Sequence, residues 1–144
     1  MAYAVLQDLV DRAGSAEILQ IADRDGDDVA DPEVVDAALE AARVQIDAYL
    51  AIRYGLPLDP VPDIVRAWAV SIARYVLHRD GPPDYVVRDQ RDALAALKDA
   101  AAGRLALPGV VAGEVVPAPT VSAAGIGVSG DPPAFGPDRL QGWL

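Results

Sequence analysis

The sequence predicts an all-α fold: a small bundle of about five helices over residues 1–103, then an extended Gly/Pro-rich arm over residues 104–144. Two patterns carry that expectation. Apolar residues recur at steps of three and four in every long stretch before Gly103, as on one face of a helix. After Gly103 the composition changes: seven of the 12 Gly and six of the 12 Pro follow it, with five charged residues, Arg104, Glu114, Asp131, Asp138 and Arg139. A chain of 144 residues is long enough to bury a core without staples, and with no Cys it has none to use.

Leu6, Leu9, Val10 and Ala13 have helical spacing, and Gly14 stops that short helix. Ser15 is expected to cap a second one, with Ile18, Leu19 and Ala22 as its apolar side. The organising helix runs from Asp31 to Gly55. Asp31 suits the cap, Pro32 the first helical position, and Glu33 the positive end of the dipole. Val35, Ala38, Leu39, Ala42, Ile46, Tyr49, Leu50 and Arg53 form its stripe, with Glu40, Arg43 and Asp47 on the other side. Gly55 and Pro57 end it.

A proline-rich connector follows, and two helix starts stand open, with Asp59 as cap or near Pro62. The helix to about His78 carries Ile64, Val65, Trp68, Ile72, Tyr75 and Val76 on one face and alanines around much of the rest. Such a helix is surrounded by other helices or by a second copy of the chain. Asp80-Gly81-Pro82-Pro83 breaks the chain, and Asp84 to Ala102 resumes it with Val86, Leu94 and Leu97 inward. Leu39, Ile46, Leu50, Trp68, Ile72, Leu94 and Leu97 are the expected core. In the last segment the valine pairs Val110–Val111 and Val115–Val116 suit short extended pieces, and Phe135, Leu140, Trp143 and Leu144 gather at the tip. An arm that docks on a partner accounts for that tip better than a tail folded back on its own bundle.

Lys+Arg 12 against Asp+Glu 22 gives a net charge of −10, the wrong sign for a nucleic-acid surface. The start lacks the basic and apolar regions of a signal peptide, and the most apolar stretch, Val61 to Leu77, is too short and too charged to span a membrane. A chain that stays in the cytoplasm where it is made is the expectation.

Asp23-Arg24-Asp25-Gly26-Asp27-Asp28 looks like a calcium loop. Asp23, Asp25, Asp27, the Val29 carbonyl and Asp31 match the early ligand positions of a helix–loop–helix site. The sixth position, normally Gly, is Asp28, and the last, normally a bidentate Glu, is Val34. Calcium binding is therefore the lesser reading, and no cofactor is expected. The greater one is an acidic turn whose aspartates cap the neighbouring helix ends through short-range hydrogen bonds. Gly125-Ile126-Gly127-Val128-Ser129-Gly130 matches a dinucleotide motif in letters only, since Asp131-Pro132-Pro133 follows where a helix should start. His78, the single histidine, sits at a helix end where a cap is the simpler role. Ser15, Ser71, Ser122 and Ser129 lie in no nucleophile turn, so no enzyme is expected.

Four stretches resemble the small head–tail connector (neck) proteins of Mu-like phages and prophages: MAYAVLQDLVDRAG, DRDGDDVADPEVVDAALEAARVQIDAYLAIRYGLPL, SIARYVLHRD and the closing FGPDRLQGWL. The resemblance implies a helical adaptor without catalytic residues, placed in the virion and assembled in the bacterial cytoplasm. It implies a ring of roughly twelve copies between the portal and the next neck or tail-terminator protein. For such a ring the small-residue faces of the helices at 32–54 and 62–79 are the expected seam, with Ala42 and Ala69 on it. Phe135, Leu140, Trp143 and Leu144 are the expected contacts of the arm. A weak calcium-binding helical interaction module is the rival reading.

Overall fold

Five helices and no strand make up the described residues, 2–112, of the computed structural model. They are α1 (Leu6–Ala13), α2 (Ser15–Ala22), α3 (Pro32–Leu50), α4 (Asp63–Leu77) and α5 (Asp84–Ala101). No helix among the described residues is long and apolar enough to cross a membrane.

The first two helices share one corner residue. Gly14, at φ 88°, donates its N–H to the Val10 carbonyl at 2.8 Å and accepts from Ile18 N–H at 3.2 Å. It therefore ends α1 and starts α2 in one step, a conformation open to glycine. Ser15 is the first helical residue and makes no cap bond, contrary to expectation. The positive φ of Gly14 does the turning that a capping side chain would otherwise support.

Helix α3 starts as Pro32 predicts, but Asp31 caps it with its carbonyl only, at 3.1 Å from the N–H groups of Val34 and Val35. Its carboxylate turns the other way, into the acidic loop. The helix ends at Leu50, short of Gly55, because Arg53 and Tyr54 both donate to the Leu50 carbonyl and wind the chain into a tighter turn. Tyr54 and Leu58 then plug into the core and fix the connector, so α4 takes the later of its two possible starts, after Pro62.

The core lies between α3, α4 and α5. Leu39, Ile46 and Leu50 meet Val65, Trp68, Ile72 and Leu77, and Leu97 closes the third side. Leu94, expected among them, is half-buried at the margin. The short helices cover one end with Leu9, Ile18 and Ala22.

Two sequence expectations change here. Ala42 and Ala69, placed at a seam between subunits, are 0% and 1% exposed and belong to the subunit's own core. Small residues at both positions let α3 and α4, the most extensive helix contact, approach closely. A Glu at either place would test folding, because it buries a charge. Nor does packing stop where composition changes. Leu107 is 3% exposed, and Leu105 and Val110 pack half-buried against the same core. Gly103, at φ 78°, is the hinge of this return; a Cβ there would stand 2.5 Å from Nη1 of Arg53. The start of the arm therefore folds back as far as Val110. Val115–Val116, the motif at Gly125–Gly130, and Phe135, Leu140, Trp143 and Leu144 lie outside the described residues.

Candidate functional site

Among the described residues, the acidic turn, residues 23–31, is the one place where potential metal ligands converge. One carboxylate oxygen each from Asp23, Asp25, Asp27 and Asp31 lie within 4.8 Å of one another. The residue order that produces this is local. Asp23 Oδ1 accepts from Gly26 N–H at 2.7 Å, and its Oδ2 from Asp28 N–H at 2.9 Å. Asp25 accepts from Asp27 N–H, and Asp27 from Val29 N–H at 2.9 Å, two successive side-chain turns. Asp31 Oδ2 accepts from Arg24 N–H at 2.9 Å and closes the loop, while Asp31 N–H bonds to the Ala22 carbonyl. Asp28 takes a positive φ of 63° where a calcium loop has Gly.

Electrostatics divide the cluster. For Asp23 a desolvation that pushes its pKa up is outweighed by N–H donors from Gly26 and Asp28, leaving it lowered. Asp25 goes up: the Asp27 N–H opposes the rise, but desolvation and the nearby charges of Asp27 and Asp31 prevail. A cation could enter among these oxygens. The twelfth position remains Val34, half-buried against the core, and cannot supply the carboxylate that completes a calcium shell.

The structure also assembles a charged cluster that no sequence pattern announced. Arg74, 7% exposed on α4, grips Glu17 of α2 in a two-pronged bond of 2.7 and 2.6 Å. His78, at the end of α4, lies 3.0 Å from the same carboxylate. Asp89 of α5 stands 3.8 Å from Arg74 and 3.3 Å from Arg12, and the Tyr85 ring faces the guanidinium at 5.1 Å. The Arg74 bond holds the Glu17 carboxyl below its usual range, with burial opposing and His78 assisting. Four helices are tied by this cluster. The only prior signal was a charged residue, Arg74, in a helix otherwise apolar nearly all round.

A third cluster fixes the N-terminus. The Tyr3 hydroxyl donates to Asp47, which is paired with Arg43, which in turn holds Glu40. Burial, with that Asp47 bond, pushes the Tyr3 hydroxyl up to about 12. The charged side of α3 is thus a chain of ion pairs that ends on a buried tyrosine.

Every polar side-chain atom buried among the described residues has a partner. A cleft of about 500 Å³ runs past Gln20, Arg24, His78 and Arg79, where the Nε2 of His78 is engaged by Glu17. The charged groups here hold helices together or close turns.

With this geometry in place, comparison with known proteins is informative. The family model described as Bacteriophage Mu, Gp36 matches residues 3–124. The chain is similar to the Mu-like prophage FluMu protein gp36 of Haemophilus influenzae, 34% identical over 105 residues that span 73% of this chain and 74% of that protein. It is also similar to Gene product J of Escherichia phage Mu, 29% identical over 105 residues, 72% of this chain and 74% of that one. The family match stops before FGPDRLQGWL, so the likeness of that closing stretch is not part of it.

Proposed function

The chain belongs to the bacteriophage Mu Gp36 family, and from that premise we propose that this phage protein is a structural head–tail connector subunit. It acts by docking, with no turnover and no diffusible cofactor. Copies form a ring between the portal and the next neck or tail-terminator protein, in the virion. The observation that carries this reading is where the reactive side chains go. Glu17, Arg74, His78 and Asp89 brace helices against one another, which gives the rigid body that repeated docking needs. Weak contacts then suffice, because a ring multiplies them.

The segment beyond Val110 is the docking arm in this proposal. Proline limits the entropy lost on ordering, and glycine lets backbone approach a partner closely. Trp143 is its anchor, with Phe135, Leu140 and Leu144 around it. Antibody labelling of intact particles should place the chain at the junction, and deleting residues 135–144 should leave heads without tails while the bundle melts as before. Label elsewhere on the particle, or normal particles from the deletion, would defeat the proposal.

The convergence of four carboxylates within 4.8 Å favours one second reading, a weak calcium-binding interaction module. A calcium titration followed by melting temperature separates the two.

A further inference from the structure

Among the described residues two helix faces are left without a partner, and they match each other. On α3, Ala37, Ala41, Val44, Ala48 and Ala51 succeed one another at steps of four and three, all exposed, with Val44 at 54% and Ile52 beside them at 64%. This row lies opposite the buried row of Val35, Leu39, Ala42, Ile46 and Leu50. On α5, Arg88, Arg91, Ala95, Lys98 and Ala102 repeat the same spacing, again exposed and opposite the buried Val86, Ala93, Leu97 and Ala100. A step that averages three and a half residues is the one that two helices share along a common seam. Alanines at the middle of both rows allow close approach.

Charge then selects which face meets which. Glu33 and Asp36 lead into the α3 row, next to the acidic turn. Arg88 and Arg91 lead into the α5 row, preceded by Asp84 and bordered by Asp92, both without an ion-pair partner among the described residues. Among the described residues none of Glu33, Asp36, Arg88, Arg91 and Lys98 has an ion-pair partner, whereas Glu40 is held by Arg43, Asp99 by Arg104, and Asp89 by Arg12 and Arg74. The free charges of α3 are thus acidic and those of α5 mostly basic. Like faces would repel, and unlike faces attract.

We infer that the outward face of α3 docks on the outward face of α5 of a second copy of this chain, the helices running parallel so that Glu33 and Asp36 meet Arg88 and Arg91. The contact joins two different faces, so a pair leaves one face of each kind free at its two ends and the series can close into a ring. This names the seam of the connector reading and rests on it.

The absence of Cys makes the test clean, since any introduced thiols are the only ones. Ala41→Cys and Ala95→Cys sit at exposed positions in mid-row. The full chain carrying both, oxidised at millimolar concentration, should give a ladder of dimers, trimers and higher species. The two single variants mixed should give one covalent dimer containing both, and neither should link to itself. Arg88→Glu with Arg91→Glu should abolish linking, and a partner carrying Glu33→Lys and Asp36→Lys should restore it. Self-linking by Ala41→Cys would overturn the inference in favour of a two-fold contact. So would the absence of any bond between positions 41 and 95, with circular dichroism showing the variants folded. Labelling decides the connector reading separately: a chain found at the junction whose thiols never bond loses only this seam.

Discussion

The acidic turn and the Arg74 cluster use the same side-chain chemistry to opposite ends. In the turn, four aspartates within nine residues bond backbone N–H groups two to seven positions away, in water, between α2 and α3. In the cluster, Glu17 and Arg74 are 57 residues apart and shielded on most sides, and they determine how α2, α4 and α5 sit. Local bonds shape a loop that the rest of the fold barely feels. Long-range bonds between half-buried charges fix the arrangement of helices, and breaking them exposes what they covered. The lesson is that charge count says little about stability; the separation of partners and the water between them say more.

The strongest way to break this contrast is Arg74→Ala. It leaves the Glu17 carboxylate with His78 alone and Asp89 with Arg12 alone, and removes the cation from the Tyr85 ring. Removing one partner of a shielded pair costs about 3 kcal/mol or more. The denaturation midpoint should fall with an unchanged slope. Arg74→Lys should recover only part, because an ammonium cannot reproduce the two-pronged bond. A loss no larger than that of an exposed pair such as Arg104–Asp99 would put cluster and turn in one class.

A pH titration of stability sharpens the same point at smaller scale. The Glu17 carboxyl lies below its ordinary 4.5 because Arg74 and His78 favour its charged form over the opposing burial. A lowered carboxyl contributes stability that is present above 4.5 and is lost as pH falls through the depressed folded-state value. Glu17→Gln should therefore remove part of the acid-side slope of wild type. In the turn Asp23 is lowered and Asp25 raised, so the two contribute slopes of opposite sign. An acid limb unchanged in Glu17→Gln would show that the stabilising bond is made elsewhere.

What sequence could reveal follows from the same distinction between near and far. The stripe of α3 and six of the seven core residues depend on neighbours within a helix turn or two, and those are legible; the aspartates of the acidic turn, expected on helix ends, bond the loop's own N–H groups instead. Asp31 and Ser15 suit side-chain caps by sequence but make no cap bond, because a short polar side chain chooses among several nearby donors, and for Asp31 that donor is Arg24 N–H. Ala42 and Ala69 show a different limit. A small residue on a helix marks a close approach without saying whether the approaching helix belongs to the same chain. Arg74 was passed over because its partners lie on other helices, at separations that leave no periodic trace. Leu107 reads as part of an arm because charge falls and glycine and proline become frequent after Gly103, yet one leucine suffices to return the chain to its core.

The smallest expected effect concerns the turn itself, and it decides between connector and calcium module. Asp23 accepts from Gly26, Asp27 and Asp28, more backbone donors than any other side chain in the loop, so Asp23→Ala should loosen the turn and raise amide exchange at Gly26 and Asp28. The melting temperature should fall far less than in Arg74→Ala, because the loop is exposed and covers little of the core. Chelator should not lower the melting temperature of the wild-type chain at all. The backbone donors already oppose the mutual repulsion of the carboxylates, and Val34 stands where a calcium site needs its bidentate oxygen. Added calcium can still gather weakly at four oxygens so close together, but weak binding stabilises a fold only as ion concentration exceeds the dissociation constant. The discriminating measurement is therefore a melting curve at micromolar calcium with and without chelator. A drop of many degrees in chelator, reversed by calcium and absent in Asp23→Ala, would make the acidic turn a structural metal centre and give the rigidity of the body two sources instead of one.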